Sequence, residues 1–385
     1  MTEQQNNTGR PTWAEIDLGA LASNFRVIRR HVGSDVKVMA AVKANAYGHG
    51  AVTCARRLEH EGVDWFGVAL PEEGIELRNG GITKPILCLG GFWSGQEPAV
   101  MQHRLTAVLY RGDMIESLDR AARDTGIVAA VHVKIDTGMG RLGVRDDALA
   151  EFCDELARCK NIRVDGLMTH LAAADDPKRE DFTGNQLERF KQAVGAFRER
   201  GFAPSLIHAA NSAATFACPD AWCDMVRPGA TLYGFTRDVL PPNIPAPPLR
   251  PVMCLRSRIM LLKQVDKGEK LGYDCTFETA RDSFVATIPI GYDDGYNRAL
   301  SNRGRVIVRG KFAPVVGRVS MDLTLLDVTE VPGVSLEDEV ILLGRDGELS
   351  ISAEEIAQLA GTISYEIACG ISSRVPRVYL GDDDV

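Results

Sequence analysis

The sequence has 385 residues, of which 45% are hydrophobic and 25% charged, so disordered and fibrous classes are excluded and two or three folded domains are expected. The formal net charge is −8, and no block of Lys and Arg stands apart, so neither nucleic acid nor a membrane surface is an expected partner. No apolar run approaches the roughly 18 residues that span a bilayer, and the polar start lacks a secretory signal, which predicts a soluble cytoplasmic protein. The nine cysteines are scattered without a C-x-x-C pair, so neither a metal site nor a disulfide framework is predicted.

The first elements are a polar segment and a strand. Residues 1–11 are expected to form a flexible N-terminus. Residues 12–18, TWAEIDL, alternate polar and apolar side chains as a strand does. This strand precedes the first helix of the next domain and could pair with the C-terminal domain.

A repeated pattern follows from residue 36 to about residue 234, where short apolar runs alternate with amphipathic stretches of helical period. Eight such runs begin at residues 36, 65, 85, 105, 128, 164, 205 and 224. Eight βα units in about 200 residues predict an α/β fold, a closed (β/α)₈ TIM-type barrel over residues 12–240. A doubly wound open sheet is the alternative.

The proline-rich segment 241–251, PPNIPAPPLRP, breaks this pattern and predicts a stiff linker between domains. Short extended runs separated by Gly, Pro and Asp turns follow it, which predicts a mostly β domain over residues 252–385. One helix is expected near SAEEIAQLAG, where Ser352 and Glu355 have the spacing of a capping box.

Candidate site residues follow from the barrel, because reactive side chains in this fold come from the C-terminal ends of the strands. Polar side chains or glycine occupy these ends: Lys43, Lys134, Arg141, His170, Asn211, Ser212, Arg227 and Gly229. A lysine at a barrel mouth loses hydration, which lowers its pKa and exposes an amine able to attack a carbonyl.

A phosphate site is the second expectation. Ser212 opens a predicted helix after strand seven, and Gly229 follows strand eight, which is where barrels usually bind phosphate. An amine facing a phosphate site is typical of pyridoxal 5′-phosphate (PLP) as cofactor.

Eight segments in this order resemble the bacterial alanine racemases across nearly the whole chain: AVKANAYGHG, KIDTGMGRLG, LMTHLAAAD, HAANSAA, MVRPGATLYG, IPIGYDDGY, VVGRVSMD and SSRVPR. The resemblance implies a PLP-dependent amino-acid racemase with a barrel and a C-terminal β domain. It further implies a homodimer whose active sites are shared between subunits.

The resemblance also implies roles for residues. Lys43 matches the lysine that binds the cofactor and acts as one base, and Tyr273 matches the opposite base, supplied by the partner subunit. Arg227 matches the partner of the cofactor ring nitrogen. Arg141 matches the contact to the cofactor's phenolic oxygen, and Lys134 a lysine that is carbamylated in some members. The remaining cofactor-binding matches are Tyr47, His170, Asn211, Ser212, Gly229, Ala230 and Tyr365.

For the substrate, the resemblance implies binding by Arg141, recognition of the substrate carboxylate by Met321, and a constricted entrance at Tyr292. An outer charged layer of Asp175, His208, Arg298 and Arg318 is expected around it. Asp274 and Asp293 depart from the Gly or Ala expected there, and a charge at Asp274 would oppose ionisation of the adjacent phenol.

These matches predict interconversion of L- and D-alanine that supplies D-alanine for peptidoglycan. A broad-specificity racemase, or one for serine or basic amino acids, is the alternative. A PLP decarboxylase and a non-catalytic PLP-binding protein fit less well, because Tyr273 and Arg227 match racemases and the second domain is large. A biosynthetic and a catabolic role both stay open.

Overall fold

The computed structural model describes residues 9–381, which form two compact units. One unit comprises residues 21–250, and the other combines the residues up to Ala20 with those from Pro251 onward. The predicted flexible N-terminus lies outside the described residues except for 9–11, and Arg10 in that remainder pairs with the Asp294 carboxylate. In the described part of the chain no helix is long and apolar enough to cross a membrane.

Strand β1 (Thr12–Asp17) belongs to the sheet of the second unit, although it precedes the barrel in the chain. It lies between two strands that follow residue 250, one antiparallel and one parallel to it. Its buried and half-buried residues alternate, because one face packs against that unit's core. The barrel unit therefore begins at Leu21, within helix α1, and not at residue 12.

The barrel unit contains an eight-stranded parallel sheet with helices between the strands. Its strands are β2 (Lys37–Ala41), β3 (Trp65–Val68), β4 (Ile86–Cys88), β5 (Thr106–Leu109), β6 (Ala129–Lys134), β7 (Ile162–Met168), β8 (Leu206–His208) and β9 (Met225–Val226). Its helices are α1 (Leu18–Val32), α2 (Lys43–Tyr47), α3 (Ala51–His60), α4 (Pro71–Asn79), α5 (Glu97–Gln102), α6 (Gly112–Thr125), α7 (Leu149–Arg158), α8 (Glu180–Glu199) and α9 (Ser212–Ala217).

The sheet closes on itself, which confirms the predicted barrel over the open sheet. The strand order is β8-β7-β6-β5-β4-β3-β2-β9. The two strands at the ends of this order, β8 and β9, are joined by hydrogen bonds of the residues around them. The Asp224 amide donates to the Ile207 carbonyl at 2.9 Å, and the Arg227 amide donates to the Ala210 carbonyl at 3.0 Å. Apolar side chains from six strands fill the interior: Met39, Leu87, Val108, Met168, Leu206 and Met225.

The second unit is mostly β, as predicted, with two short helices. Its strands after β1 are β10 (Met253–Arg258), β11 (Leu261–Val265), β12 (Lys270–Leu271), β13 (Phe277–Glu278), β14 (Ser283–Ile288), β15 (Arg305–Val308), β16 (Lys311–Pro314), β17 (Thr324–Asp327), β18 (Glu339–Asp346), β19 (Leu349–Ile351) and β20 (Arg377–Leu380). The expected helix is α10 (Ala353–Ala360), and the Ser352 hydroxyl caps it by accepting from the Glu355 amide at 3.2 Å. A second helix, α11 (Ser364–Gly370), was not predicted, because seven residues are too few for a clear helical period.

Candidate active site

The predicted barrel residues meet at one end of the barrel. Lys43 begins α2 one residue after the end of β2, Lys134 ends β6, and Arg227 directly follows β9. Because all eight strands are parallel, their C-terminal ends lie at the same end of the barrel. The structure therefore brings together side chains that are up to 184 residues apart in the chain (227 − 43).

This end of the barrel concentrates positive charge. Burial, together with repulsion from Arg227, Arg141 and Lys43, lowers the pKa of Lys134 to about 8, and Asp136 opposes this shift. Burial and the same cationic neighbours hold the pKa of His170 well below its ordinary value. Cations packed this closely destabilise one another, so an anionic ligand here would be strongly favoured.

The Arg227 guanidinium is buried and bonded to neutral acceptors. Nη1 donates to His208 Nδ1 at 2.9 Å, and Nη2 donates to the carbonyls of Thr169 at 2.7 Å and Ala209 at 3.0 Å. Burial lowers its pKa to about 10, so it still carries its charge at neutral pH. The site thus holds a permanent cation that no carboxylate among these partners neutralises.

A buried histidine pair supports Arg227 from behind. Since Arg only donates, His208 Nδ1 must accept, and its Nε2–H then donates to His132 Nδ1 at 2.8 Å. His208 was predicted in the outer charged layer, and this prediction is wrong, because His208 is fully buried and its pKa is lowered by burial and by Arg227. His132 was missed. The sequence did offer a signal for His132: it is a polar residue in an apolar strand, two positions before Lys134, and therefore lies on the same face of the strand as Lys134.

The histidine pair predicts a stability that falls in acid. Burial lowers the pKa of His132 to about 3, whereas both histidines titrate near 6.5 when unfolded. Below that value the unfolded chain binds more protons than the folded one. The free energy of unfolding should therefore be highest above pH 6.5 and fall as the pH drops toward 3, by up to about 1.4 kcal/mol per pH unit for each histidine.

Urea unfolding of His132→Gln at several pH values tests this expectation. Gln still accepts from His208 Nε2–H but does not titrate, so the loss on acidification should be smaller than in the wild type. His60→Gln, on an exposed histidine, is the matched control and should leave the pH dependence unchanged. An unchanged pH dependence in His132→Gln would contradict the assignment.

Left-handed backbone follows Lys43. Four consecutive residues, Ala44 to Tyr47, have φ between +51° and +54°. Such backbone costs about 1–2 kcal/mol per residue outside glycine, so the surroundings must hold it. The Glu73 carboxylate accepts from the Ala44 amide at 2.7 Å and from the Ala69 amide at 2.6 Å, and thereby ties this turn to the start of α4. Sequence reasoning missed Glu73, because nothing in its local pattern distinguishes it from a solvated helix residue.

The turn places Tyr47 against the loop after β9. A Cβ added to Gly229 would lie 2.3 Å from the Tyr47 hydroxyl oxygen, so only glycine allows this approach. The Gly229 amide donates to the Ser212 hydroxyl at 2.9 Å, and the Asn211 side chain caps α9 by accepting from the Ala214 amide at 3.0 Å. Tyr47, Ser212, Gly229 and the following Ala230 therefore form one small polar group of the kind that binds phosphate.

Four further predicted residues belong to the second unit. Tyr273 is 71% exposed, and Tyr292 and Met321 are exposed as well. The Tyr292 amide donates to the Ser320 carbonyl at 3.0 Å, so Tyr292 and Met321 lie on adjoining loops. Tyr365 lies on α11, and its phosphate contact stays a prediction.

The charge of Asp274 has a partner. Its Oδ2 lies 3.3 Å from Arg318 Nε. This pairing offsets the negative charge that Asp274 would otherwise exert on the neighbouring Tyr273 phenol.

Comparison with known proteins identifies relatives over nearly the whole chain. The alanine racemase N-terminal domain family matches residues 16–237, and the alanine racemase C-terminal domain family matches residues 252–379. The alanine racemase of Geobacter sulfurreducens is 46% identical over 376 residues, covering 96% of this chain and 97% of that protein. Among solved structures, the alanine racemase from Streptomyces coelicolor A3(2) has a TM-score of 0.90 at 37% identity, covering 96% of this chain and 98% of that one. The alanine racemase from Bartonella henselae with covalently bound pyridoxal phosphate has a TM-score of 0.86 at 30% identity, covering 97% of this chain and all of that one.

Proposed function

The chain belongs to the alanine racemase family, and from this membership we propose that it interconverts L-alanine and D-alanine with PLP as its cofactor. The cationic end of the barrel is the observation that carries the proposal, because PLP is a small anion with a carbonyl that a lysine can bind. By family analogy the enzyme is cytoplasmic and supplies D-alanine for peptidoglycan.

The residues present fit PLP. Lys43 would bind it covalently, Arg227 would donate to the ring nitrogen, and Arg141 would contact the phenolic oxygen. The group of Tyr47, Ser212, Gly229 and Ala230 would hold the phosphate. When bound, PLP withdraws electrons from the substrate and makes the hydrogen on Cα acidic.

Racemisation requires proton transfer on both faces of Cα, which one fixed group performs poorly. We assign one face to the Lys43 amine and the other to the phenol of Tyr273. An unperturbed tyrosine has a pKa of about 10, so nearby positive charge is needed to hold it ionised. The cations at the barrel end would supply that charge.

Arg227 would direct the outcome toward racemisation. It stays protonated and would donate to the ring nitrogen of PLP, which would discourage protonation of that nitrogen and make PLP a weaker electron sink than a carboxylate partner would. A weaker electron sink would favour return of the proton to Cα, and therefore racemisation over transamination. The His208 and His132 pair keeps the guanidinium oriented for this donation.

Two subunits are proposed to share each site, with Lys43 from one and Tyr273 of the partner subunit. The high exposure of Tyr273 in the single chain supports this arrangement, because a proton-transfer group must be shielded from bulk water in the working enzyme.

Carbamylation of Lys134 is part of the proposal. With a pKa of about 8, part of the Lys134 side chain population is neutral amine at neutral pH, and this is the form that adds to CO₂ with release of one proton. The resulting carboxylate would orient Arg141. Intact-protein mass spectrometry in CO₂-rich and CO₂-depleted buffer, with activity followed in parallel, tests it.

Exchange of the Cα hydrogen of alanine in D₂O tests the proposed function. The PLP-loaded protein should exchange that hydrogen while it racemises either enantiomer. No exchange with bound PLP would overturn the enzyme assignment. Faster racemisation of serine or lysine than of alanine would instead favour the broader racemase, the alternative substrate assignment.

Gly229→Ala is expected to weaken PLP binding about tenfold, roughly the effect of one lost hydrogen bond to a charged group. The new Cβ would displace the Tyr47 hydroxyl, and overpacking of this kind costs about 1–3 kcal/mol of stability. Titration of the apoprotein with PLP, followed by absorbance, measures the affinity. Gly184→Ala is the control, because a Cβ at 184 has no neighbour within 4 Å. Equal PLP affinity in both variants would contradict the phosphate assignment.

A further inference from the structure

We propose that Arg374 is a positioning residue that holds the Tyr292 and Met321 loops together and thereby sets discrimination between alanine and larger amino acids. This inference rests on the proposed function and on the family resemblance, which implies that Tyr292 lies at the active-site entrance and that Met321 takes part in recognition of the substrate carboxylate. It adds a residue to which the family resemblance gives no individual role.

One guanidinium reaches both loops. Arg374 Nη2 pairs with Asp322 Oδ1 at 2.7 Å, and Nη1 pairs with the Asp293 carboxylate. Asp322 directly follows Met321, and Asp293 directly follows Tyr292. The planar guanidinium of Arg374 therefore links the residue after Tyr292 to the residue after Met321.

The backbones of the two loops also touch. The Asp293 amide donates to the Met321 carbonyl at 3.2 Å. A Cβ at Gly291 would lie 2.3 Å from the same carbonyl oxygen, so the loops are as close as glycine permits. Arg374 therefore adds a side-chain link between two loops whose backbones are already in contact.

The base of the Tyr292 loop is anchored separately. Asp294 is fully buried and accepts from both terminal nitrogens of Arg10, at 2.8 and 2.6 Å, and from the Gly291 amide at 2.9 Å. Arg374 Nε lies 3.5 Å from the same carboxylate. With the base held by Arg10, loss of Arg374 should loosen the exposed part of the loop without unfolding it.

The resemblance leads us to expect Gly or Ala more often where Asp293 stands, and neither of those residues could pair with Arg374 in this way. The ion pairs are exposed, so they contribute little to global stability and are weakened by salt. Their effect should therefore appear in substrate selection more than in the melting temperature.

The test compares the PLP-loaded wild type with Arg374→Ala, Arg374→Lys and the control Arg281→Ala, which removes an exposed ion pair to Glu330 in the same unit. For Arg374→Ala we expect the KM for alanine to rise about tenfold while kcat changes less than about threefold. The ratio of kcat/KM for serine to that for alanine should rise about fivefold, which is within the range that pocket contacts control. Lys reaches only one carboxylate at a time and should restore KM in part. Arg281→Ala should match the wild type.

Hydrogen exchange at the Tyr292 and Asp293 amides gives a readout independent of activity, and we expect it to be faster in Arg374→Ala. If that variant fails to fold, Asp322→Asn and Asp293→Asn each remove one arm and should each raise KM. The inference would be overturned if the wild type is active but these variants leave the KM for alanine, the serine-to-alanine ratio of kcat/KM and the amide hydrogen exchange unchanged. A wild type that racemises no amino acid would overturn the proposed function instead.

Discussion

Lys43→Ala is expected to abolish covalent PLP binding and racemisation together. Removal of the amine deletes both the covalent attachment point and one of the two proton-transfer groups, so kcat should fall by a factor on the order of 10⁴ or more. Borohydride reduction followed by intact-protein mass spectrometry measures the covalently bound cofactor, and a coupled assay measures D-alanine formation.

Lys37→Ala is the matched control for this variant. Lys37 is exposed at the opposite end of the same strand, β2, so it should keep both cofactor and activity. Full racemase activity in Lys43→Ala would refute the assignment of Lys43, and so would a covalent adduct that persists at wild-type level.

Tyr273→Phe should leave PLP binding intact while lowering kcat by a factor on the order of 10² to 10⁴, the usual contribution of a positioned acid or base. The substitution removes one exposed hydroxyl and should not alter the fold. The overall equilibrium constrains both enantiomers to related residual rates, so the informative measurement is the Cα-deuterium isotope effect in each direction. It should increase more in the direction in which Tyr273 removes the proton.

Mixing the two inactive variants tests the shared site. In a two-fold dimer with one Lys43→Ala and one Tyr273→Phe subunit, one site keeps both native residues and the other keeps neither. Random pairing should restore about a quarter of wild-type activity on co-expression. Activity no higher than that of either variant alone would show that both residues act within one subunit, or that neither has the assigned role.

Local patterns were sufficient for the barrel and for one helix cap. The eight apolar runs became the eight parallel strands, because a strand or helix shows its period within a few residues. Ser352 was identified as a cap from Glu355 three residues later, since that hydrogen bond is local. Helix α11 was missed because its seven residues are too few to show a period.

Partners distant in the chain could not be read from the sequence. The alternation of β1 suits any half-buried sheet position, and only long-range pairing placed it between β10 and β20. His208 looked like a charged outer residue, yet burial beside Arg227 makes it a neutral acceptor. Asp274 looked like an unopposed charge next to Tyr273, and Arg318, 44 residues away (318 − 274), faces it.

The sequence by itself determined the barrel, the types of the elements other than α11, and which polar side chains end the barrel strands, because hydrophobic period and strand polarity are local properties. The tertiary structure alone decided which group each charge contacts: Arg227 contacts a histidine pair, Glu73 the turn after Lys43, and Arg374 the Tyr292 and Met321 loops. Charge pairing depends on distance and burial in three dimensions, and residues far apart in the chain supply both.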